Sequence, residues 1–426
     1  VKAVHDAVMV LPADAPIEVD EHPPQRRSLR LAVVTETYPP EVNGVAATIA
    51  SFVAGLHARD HEVQLVRPRQ RRLETAAGAD RFHEVLLGGL PIPNYPHLKM
   101  GMPSKRALLS LWKLRRPDLV HVVTEGPLGW SAIQAAATLR LPVVSDFRTN
   151  FHSYSKHYGI GWLQRPILAY LRKFHNHTRL TMVPTEALRR QLAESGFDNL
   201  KVVARGVDTG RFAPSRRSES LRRRWGAASG SLVVLHVGRL AAEKNLAALV
   251  DAYDALQAQR PGTAFVLVGD GPARAELERR CPRAIFAGMR SGDDLAEHYA
   301  SGDIFVFPST TETFGNVTTE AMASGLAVVA YDYAAAAQLI EPGISGLLVP
   351  LDRTEAFVRS VVTLAGDAAA VRRMGAQART VAENNSWGRV VEELESSFLE
   401  VLAKPEVPLA RRVARPPAAL PRAVDS

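Results

Sequence analysis

Short apolar runs of strand length alternate along this 426-residue chain with stretches whose apolar positions recur at helical spacing. The first run, Leu29–Val34, leads through a polar, proline-bearing loop (TETYPPEVNG, 35–44) into Val45–Ala58. There Val45, Ile49, Phe52, Val53 and Leu56 fall on one helical face, and Val63–Val66 supplies the next strand. Strand, helix, strand in that order is a βαβ unit, which demands a parallel sheet covered by helices. Further strands are expected at Leu119–Val123, Val143–Asp146 and Leu180–Pro184, with helices at Trp130–Leu139 and Glu186–Ser195. Gly206–Arg217 has the turn residues and charge of an interdomain connector. A second series starts at Ser231, with strands expected at 232–237, 264–268, 284–287, 303–307, 327–330 and 346–349. Amphipathic helices such as Leu246–Gln259 and Leu295–Ala300 fall between them. The fold class predicted is α/β: two Rossmann-like, doubly wound domains, 29–207 and 208–384, facing a central cleft. Ligands of such folds sit beyond the carboxyl ends of the strands.

Composition narrows the picture. With 46% hydrophobic residues, each half can bury its own core. A single cysteine, Cys281, excludes an intramolecular disulfide framework and fits a reducing, cytoplasmic setting. No apolar run approaches the roughly 20 residues that span a bilayer. Residues 1–28 lack the apolar core of a secretory leader, and proline, alanine and arginine dominate 404–426, so both ends read as disordered tails. The formal charge of +8 is uneven: residues 99–190 hold 15 Lys and Arg against 4 Asp and Glu. That excess is either a solvated basic face or a surface for phosphate or an acidic membrane. Nucleic acid fits least, since no zinc-finger spacing or RNA-recognition signature is present.

The chemistry concentrates in the second half. In HVGRLAAEKN (236–245) an expected strand runs into Gly238, Arg239 and Lys244 just before a helix. Two cations beside free backbone N–H groups suit a diphosphate, because fixed positive charge stabilises the negative charge that grows on a leaving phosphate. An arginine and a lysine five apart are, by themselves, more commonly surface charges. The glycines of GDGP (269–272) let a backbone approach a ligand closely, or simply form a turn. In GDIFVFPSTTETFGNVTTEAMASGLAVVA (302–330), strand Ile304–Phe307 delivers a polar loop at 309–313, and Phe314-Gly315 opens a helix bearing Asn316, Thr318, Thr319 and Glu320. Glu312 and Glu320 can then face one cleft mouth, where the N–H groups of residues 314–317 can bond sugar hydroxyls. Helix capping is the plainer role for Glu312.

The stretches GRLAAEKN, GDGP, FAGM (286–289), E-TFGNVTT-E and AMASGLAVVA, in this order, resemble the signature of the retaining GT-B glycosyltransferases of family 4. RGVDTGRFAP (205–214) is similar to that family's interdomain segment and TETYPPEVNGVAATI to its first β–loop–α. The resemblance spans about residues 30–400. It implies hexosyl transfer from a UDP- or GDP-linked sugar, with retained anomeric configuration and no metal or other cofactor. Residues 29–207 would bind the acceptor, 208–384 the nucleotide sugar, and a helix at 385–403 would cross back to the first domain. Arg239, Lys244 and Glu312 would be catalytic, the two cations on the diphosphate and Glu312 on the donor sugar. Gly44, Gly238, Met289, Arg290, Phe314, Gly315, Asn316, Val317 and Glu320 would line the donor site, Gly44 approaching its phosphate, Glu320 the ribose and the backbone of Met289 and Arg290 the base. No Asp-x-Asp metal motif is evident, and Asp293-Asp294 reads as a helix cap.

In SDFRTNFHSY (145–154) the chain departs from many relatives, placing Arg148 where they have histidine. An arginine does not serve as a base at neutral pH but can stabilise phosphate. Asp146, Arg148 and His152 are therefore candidates on the acceptor side, His152 equally as a structural residue. Basic and aromatic residues mix in PIPNYPHLKMGMPS (91–104), at Trp112, Lys113, Arg115 and Arg116, and at Trp162, Arg165, Tyr170, Arg172 and Lys173. They suit either a core-facing aromatic stripe or docking on the anionic inner face of the cytoplasmic membrane with a lipid or glycolipid acceptor. Two other readings remain open from sequence: a nucleotide-sugar epimerase of the same fold, and a non-catalytic sugar-nucleotide-binding protein.

Overall fold

The computed structural model describes residues 27–404 except 42, 72, 93–94, 149–163, 228–229 and 313. His152, Trp162 and the bulk of both expected tails lie outside the described residues. Among the described residues, sixteen strands run β1 Arg30–Val34, β2 Glu62–Pro68, β3 Gly78–Ala79, β4 Phe82–Leu87, β5 Gly89–Ile92, β6 Tyr95–Gly101, β7 Leu119–Val122, β8 Val143–Asp146, β9 Leu180–Val183, β10 Leu200–Val202, β11 Val233–Val237, β12 Ala264–Val268, β13 Ile285–Gly288, β14 Ile304–Phe307, β15 Ala327–Tyr331 and β16 Gly346–Val349. They form an eight-stranded sheet ordered β10-β9-β8-β7-β1-β2-β4-β3, a six-stranded sheet ordered β13-β12-β11-β14-β15-β16, and the ribbon β5-β6. In the two large sheets every pairing is parallel except β3 with β4, and both sheets carry helices on both faces. Burial on two sides explains why the strands VVLHV, IFVF and AVVAY read as nearly unbroken apolar runs.

The helix Gly44–His57 starts at Asn43, whose carboxamide oxygen accepts from the N–H groups of Val45 and Ala46. The helix expected from Trp130 begins three residues earlier, at Pro127, where the fixed ring φ suits a first helical turn. Two chain crossings lie side by side between the domains. Val207 N–H donates to the Asn385 carbonyl at 3.1 Å, and Asn385 Nδ2 donates to the Arg205 carbonyl at 2.9 Å. Beyond that crossing, the helix Trp387–Ala403 inserts Val390, Val391, Leu394, Phe398 and Val401 into the core that Leu31, Ile49, Phe52 and Leu56 build in the first domain. Gly55 permits the approach, since a Cβ there would lie 2.5 Å from Val391.

Candidate active site

Strand order reverses at one place in each sheet, between β1 and β7 and between β11 and β14. The crevice outside the strand ends at such a point is where doubly wound folds take ligands. In the second sheet β11 ends in Gly238 and Arg239 and then a single 3₁₀ turn, Ala242–Lys244, while β14 ends in the loop 308–312. Lys244 Nζ and the Glu312 carboxylate form an ion pair there, and Ser309 Oγ donates to the same carboxylate oxygen at 2.8 Å. Thr311 Oγ1 ties the two loops together through the Glu243 carbonyl at 2.9 Å. Arg239 is exposed and pairs with Glu243, a contact easily exchanged for another anion.

Two helices point their starts at this place. Leu246–Gln259 follows Asn245 at φ +53°, and Asn316–Ala323 follows Gly315 at φ +96°; neither has a side-chain cap. Apart from Thr318, whose N–H donates to the Gly315 carbonyl at 3.0 Å, their first-turn N–H groups keep their donor capacity, and the positive helix ends favour anions. Gly315 is a position where glycine is required by the backbone. Phe314 is buried and its carbonyl is taken by Ala335 N–H, so the amide rather than the ring or carbonyl is what it can offer. Val317 packs against the second-domain core, and Asn316 Oδ1 is buried without a partner among the described residues. Glu320 sits a turn further along and accepts from the Tyr299 hydroxyl at 2.9 Å. Burial raises its carboxyl to about 7, against the lowering effect of that hydrogen bond. His236 holds Nδ1 on the Val306 carbonyl at 3.0 Å, and burial depresses it to about 4. It is a neutral imidazole whose Nε2 lies 3.6 Å from where a Gly238 Cβ would stand.

Several sequence expectations change. The glycines of 269–272 serve packing rather than ligand approach: a Cβ on Gly269 (φ +134°) would stand 1.9 Å from the Gly238 carbonyl oxygen, and one on Gly271 2.3 Å from that of Leu240. Leu240 N–H donates to the Asp270 carbonyl at 2.9 Å, so the loop buttresses the Arg239 turn. Met289 is 71% exposed, and the Arg290 guanidinium is anchored on the Ala287 carbonyl and Asp294. Asp293 and Asp294 do not cap their helix; they stand in its first turn and pair with Arg211, Arg216, Arg290 and His298.

Across the cleft the acceptor-side assignment needs correcting. Asp146 and Arg148 do not face open space. Asp146 is fully buried, bonded to His121 Nε2 at 2.7 Å and Arg148 Nε at 3.0 Å, and Arg148 is 1% exposed beneath Phe52. Against the effect of burial, the Arg148 guanidinium and the His121 hydrogen bond hold the Asp146 carboxyl below its ordinary range. The groups at the first sheet's own switch point are ones the sequence reading passed over. Glu36, after β1, accepts from Leu128 N–H at 3.0 Å and is raised to about 7 by burial; buried Glu125 follows β7. Arg205 was also missed, and lies beside Gly44: a Cβ on Gly44 would approach Arg205 Nη1 to 3.0 Å and Asn316 Nδ2 to 3.9 Å. In the basic region, Trp112 belongs to the core, with Nε1 donating to Gln64 at 2.8 Å, and carries no surface role. Lys105, Arg106, Lys113, Arg115 and Arg116 are exposed around Leu114, itself 86% exposed. No helix among the described residues is long and apolar enough to cross a membrane.

Residues 42–211 match the model described as Glycosyltransferase Family 4, and residues 231–367 that described as Glycosyl transferases group 1. A GDP-mannose-dependent alpha-mannosyltransferase of Mycobacterium tuberculosis (strain CDC 1551 / Oshkosh) is 36% identical over 86% of this chain and 95% of its own length. A sulfoquinovosyl transferase of Arabidopsis thaliana is 30% identical over 84% of this chain and 71% of its own. The crystal structure of Anabaena HepE in complex with UDP superposes with a TM-score of 0.68 at 19% identity, over 87% of this chain and all of that one.

Proposed function

Because the chain belongs to glycosyltransferase family 4, within the group 1 glycosyl transferases of GT-B fold, we propose that it transfers a hexosyl group with retention, without a metal, onto a lipid or glycolipid acceptor. That it is an enzyme using a nucleotide-sugar donor follows from the family. The name of the Mycobacterium relative makes GDP-mannose the first donor to test, with UDP-glucose as the comparison.

One observation carries the reading: the Lys244–Glu312 ion pair lies at the switch point between two uncapped helix starts. We place the donor diphosphate on Arg239, Lys244 and those amides, the sugar on Glu312 and the amides of Phe314, Gly315 and Asn316, the ribose on Glu320 and the base beside Met289 and Arg290. As the bond from the anomeric carbon to the phosphate oxygen breaks, its electron pair stays on the phosphate. Cations held beforehand stabilise that charge with little reorganisation. The acceptor hydroxyl oxygen bonds to the anomeric carbon from the same face, and its proton passes to the departing phosphate oxygen. Lysine and arginine supply the positive charge a metal would otherwise supply.

A lipid acceptor is favoured by the exposed apolar side chains Leu90, Met100, Met102 and Leu114 on the domain that carries the basic excess. The test is transfer from GDP-mannose and UDP-glucose to diacylglycerol-based glycolipids in vesicles, with excess chelator, followed by NMR assignment of the new anomeric linkage. Absence of transfer from any nucleotide sugar, an inverted product, or activity abolished by chelator would each overturn the corresponding part.

A further inference from the structure

Arg205 belongs to neither of the donor-binding loops described above, yet its guanidinium lies between the two helix starts that face each other across the cleft. The Cβ position of Gly44 lies 3.0 Å from its Nη1 and 3.9 Å from Asn316 Nδ2, and the Arg205 Cζ lies 6.0 Å from the Phe314 ring centroid. The residue is 5% exposed, its Nε is buried without a partner, and no described residue hydrogen-bonds its guanidinium. Arg148 stands near it, with Nη1 also buried and unpartnered. The carboxylates within reach are already engaged, Asp146 by His121 and Arg148, Glu312 by Lys244. Burial first, then the neighbouring Arg148, pull the Arg205 guanidinium down to about 9, against the pull of Asp146 and Glu312. With Arg148 already neutralised by Asp146, Arg205 is left as a buried guanidinium with no carboxylate of its own, which is costly unless an anion joins it.

We propose that Arg205 binds the sugar-bearing phosphate of the donor from the first-domain side, with Arg148 behind it as a positioning residue. The proposal rests on the donor site assigned above and adds a contact from the connector. The diphosphate then bridges the domains: Lys244 and Arg239 hold it from the second, Arg205 from the first. A side chain at position 44 would crowd Arg205, its Cβ standing 3.0 Å from Nη1. The ligand chemistry is a phosphate monoanion or dianion at the distal position of a nucleoside diphosphate. A phosphate on the acceptor is the rival source.

The test compares the wild type, Arg205→Met and Arg205→Lys by calorimetric binding of GDP, UDP, GMP and UMP, with thermal unfolding of each free protein. For Arg205→Met we expect at least about a tenfold loss for the preferred diphosphate, typical of removing a charge-assisted hydrogen bond, and less than twofold for the monophosphate. Arg205→Lys should recover part of the loss. The free methionine variant should unfold no earlier than wild type, since the buried charge is removed. A parallel loss for mono- and diphosphates, or an unchanged diphosphate affinity, would overturn the proposal. So would a rise in acceptor KM with donor binding intact, which would move the contact to the acceptor. A wild-type protein that binds neither GDP nor UDP would instead sink the donor site itself and this inference with it.

Discussion

Replacing Tyr299 with phenylalanine isolates one bond in the donor site. The hydroxyl donates to Glu320 at 2.9 Å, and the ring is fully buried, so Tyr299→Phe keeps the packing and removes only the donor. Glu320 is raised to about 7 by burial even with that bond in place. A hydrogen bond to a charged group contributes roughly 1.5–3 kcal/mol. At about 1.36 kcal/mol per pH unit, its loss moves the Glu320 ionisation up by about one to two units, to roughly 8–9. In the site proposed above, the ribose hydroxyls donate to Glu320, and the carboxylate is the stronger acceptor. Wild-type GDP or UDP affinity should therefore fall about tenfold per pH unit below 7, and that of the variant below about 8–9. The two should converge near pH 10 and differ most, by about ten- to a hundredfold, at pH 6. Calorimetric titration from pH 6 to 10 reads this directly, with a 2′,3′-dideoxynucleotide as the control whose affinity stays flat. Superimposable pH profiles for the two proteins would refute the reasoning, as would a dideoxy control showing the same acid limb. Stability runs in the opposite direction to affinity. A carboxyl raised on folding stabilises fully below its ordinary value of 4.5, and that contribution is lost as pH rises through about 7.

Lys244→Ala and Glu312→Ala should each lower kcat/KM by at least about a hundredfold without lowering the unfolding temperature, and wild-type turnover in both would refute the site. Gly269→Ala should destabilise by about 3 kcal/mol or more, because its Cβ would stand 1.9 Å from the Gly238 carbonyl oxygen at a positive φ; thermal unfolding within a degree of wild type would contradict this. Vesicle flotation should recover the protein with anionic but not zwitterionic lipid, with less recovery at high salt; equal recovery with both lipids would remove the membrane proposal. Glu36→Gln should raise stability at pH 8 and leave it nearly unchanged at pH 4.5, since the wild-type carboxyl, raised to about 7, carries a cost only when ionised; denaturant midpoints at the two pH values check it.

The second sheet was legible because its strands are buried on both faces and stand out as apolar runs between helices. The ribbon β5-β6 was not, since Pro91 and Pro96 interrupt the pattern and the pairing is set by its partner strand rather than by local alternation. In the site, Lys244 and Glu312 could be proposed from their stretches together with the family resemblance those stretches carry. Asp146 and Arg148 misled: two charged residues at a strand exit read as cleft-facing, but they neutralise one another inside the domain. Arg205 gave no local sign, because Gly44 and Asn316 lie more than a hundred residues away on either side and only the folded chain brings them together. Glycines 269 and 271 show the same limit, since close approach was foreseen but not that its object is protein backbone.

The helix Trp387–Ala403 completes a core whose other walls were made at the beginning of the chain. The first domain is therefore finished last. During synthesis its apolar face stays uncovered until the last helix has been made. A chain cut at the connector lacks that wall, and grafting a foreign second domain onto the first needs two splice points, one on each side of the paired crossing.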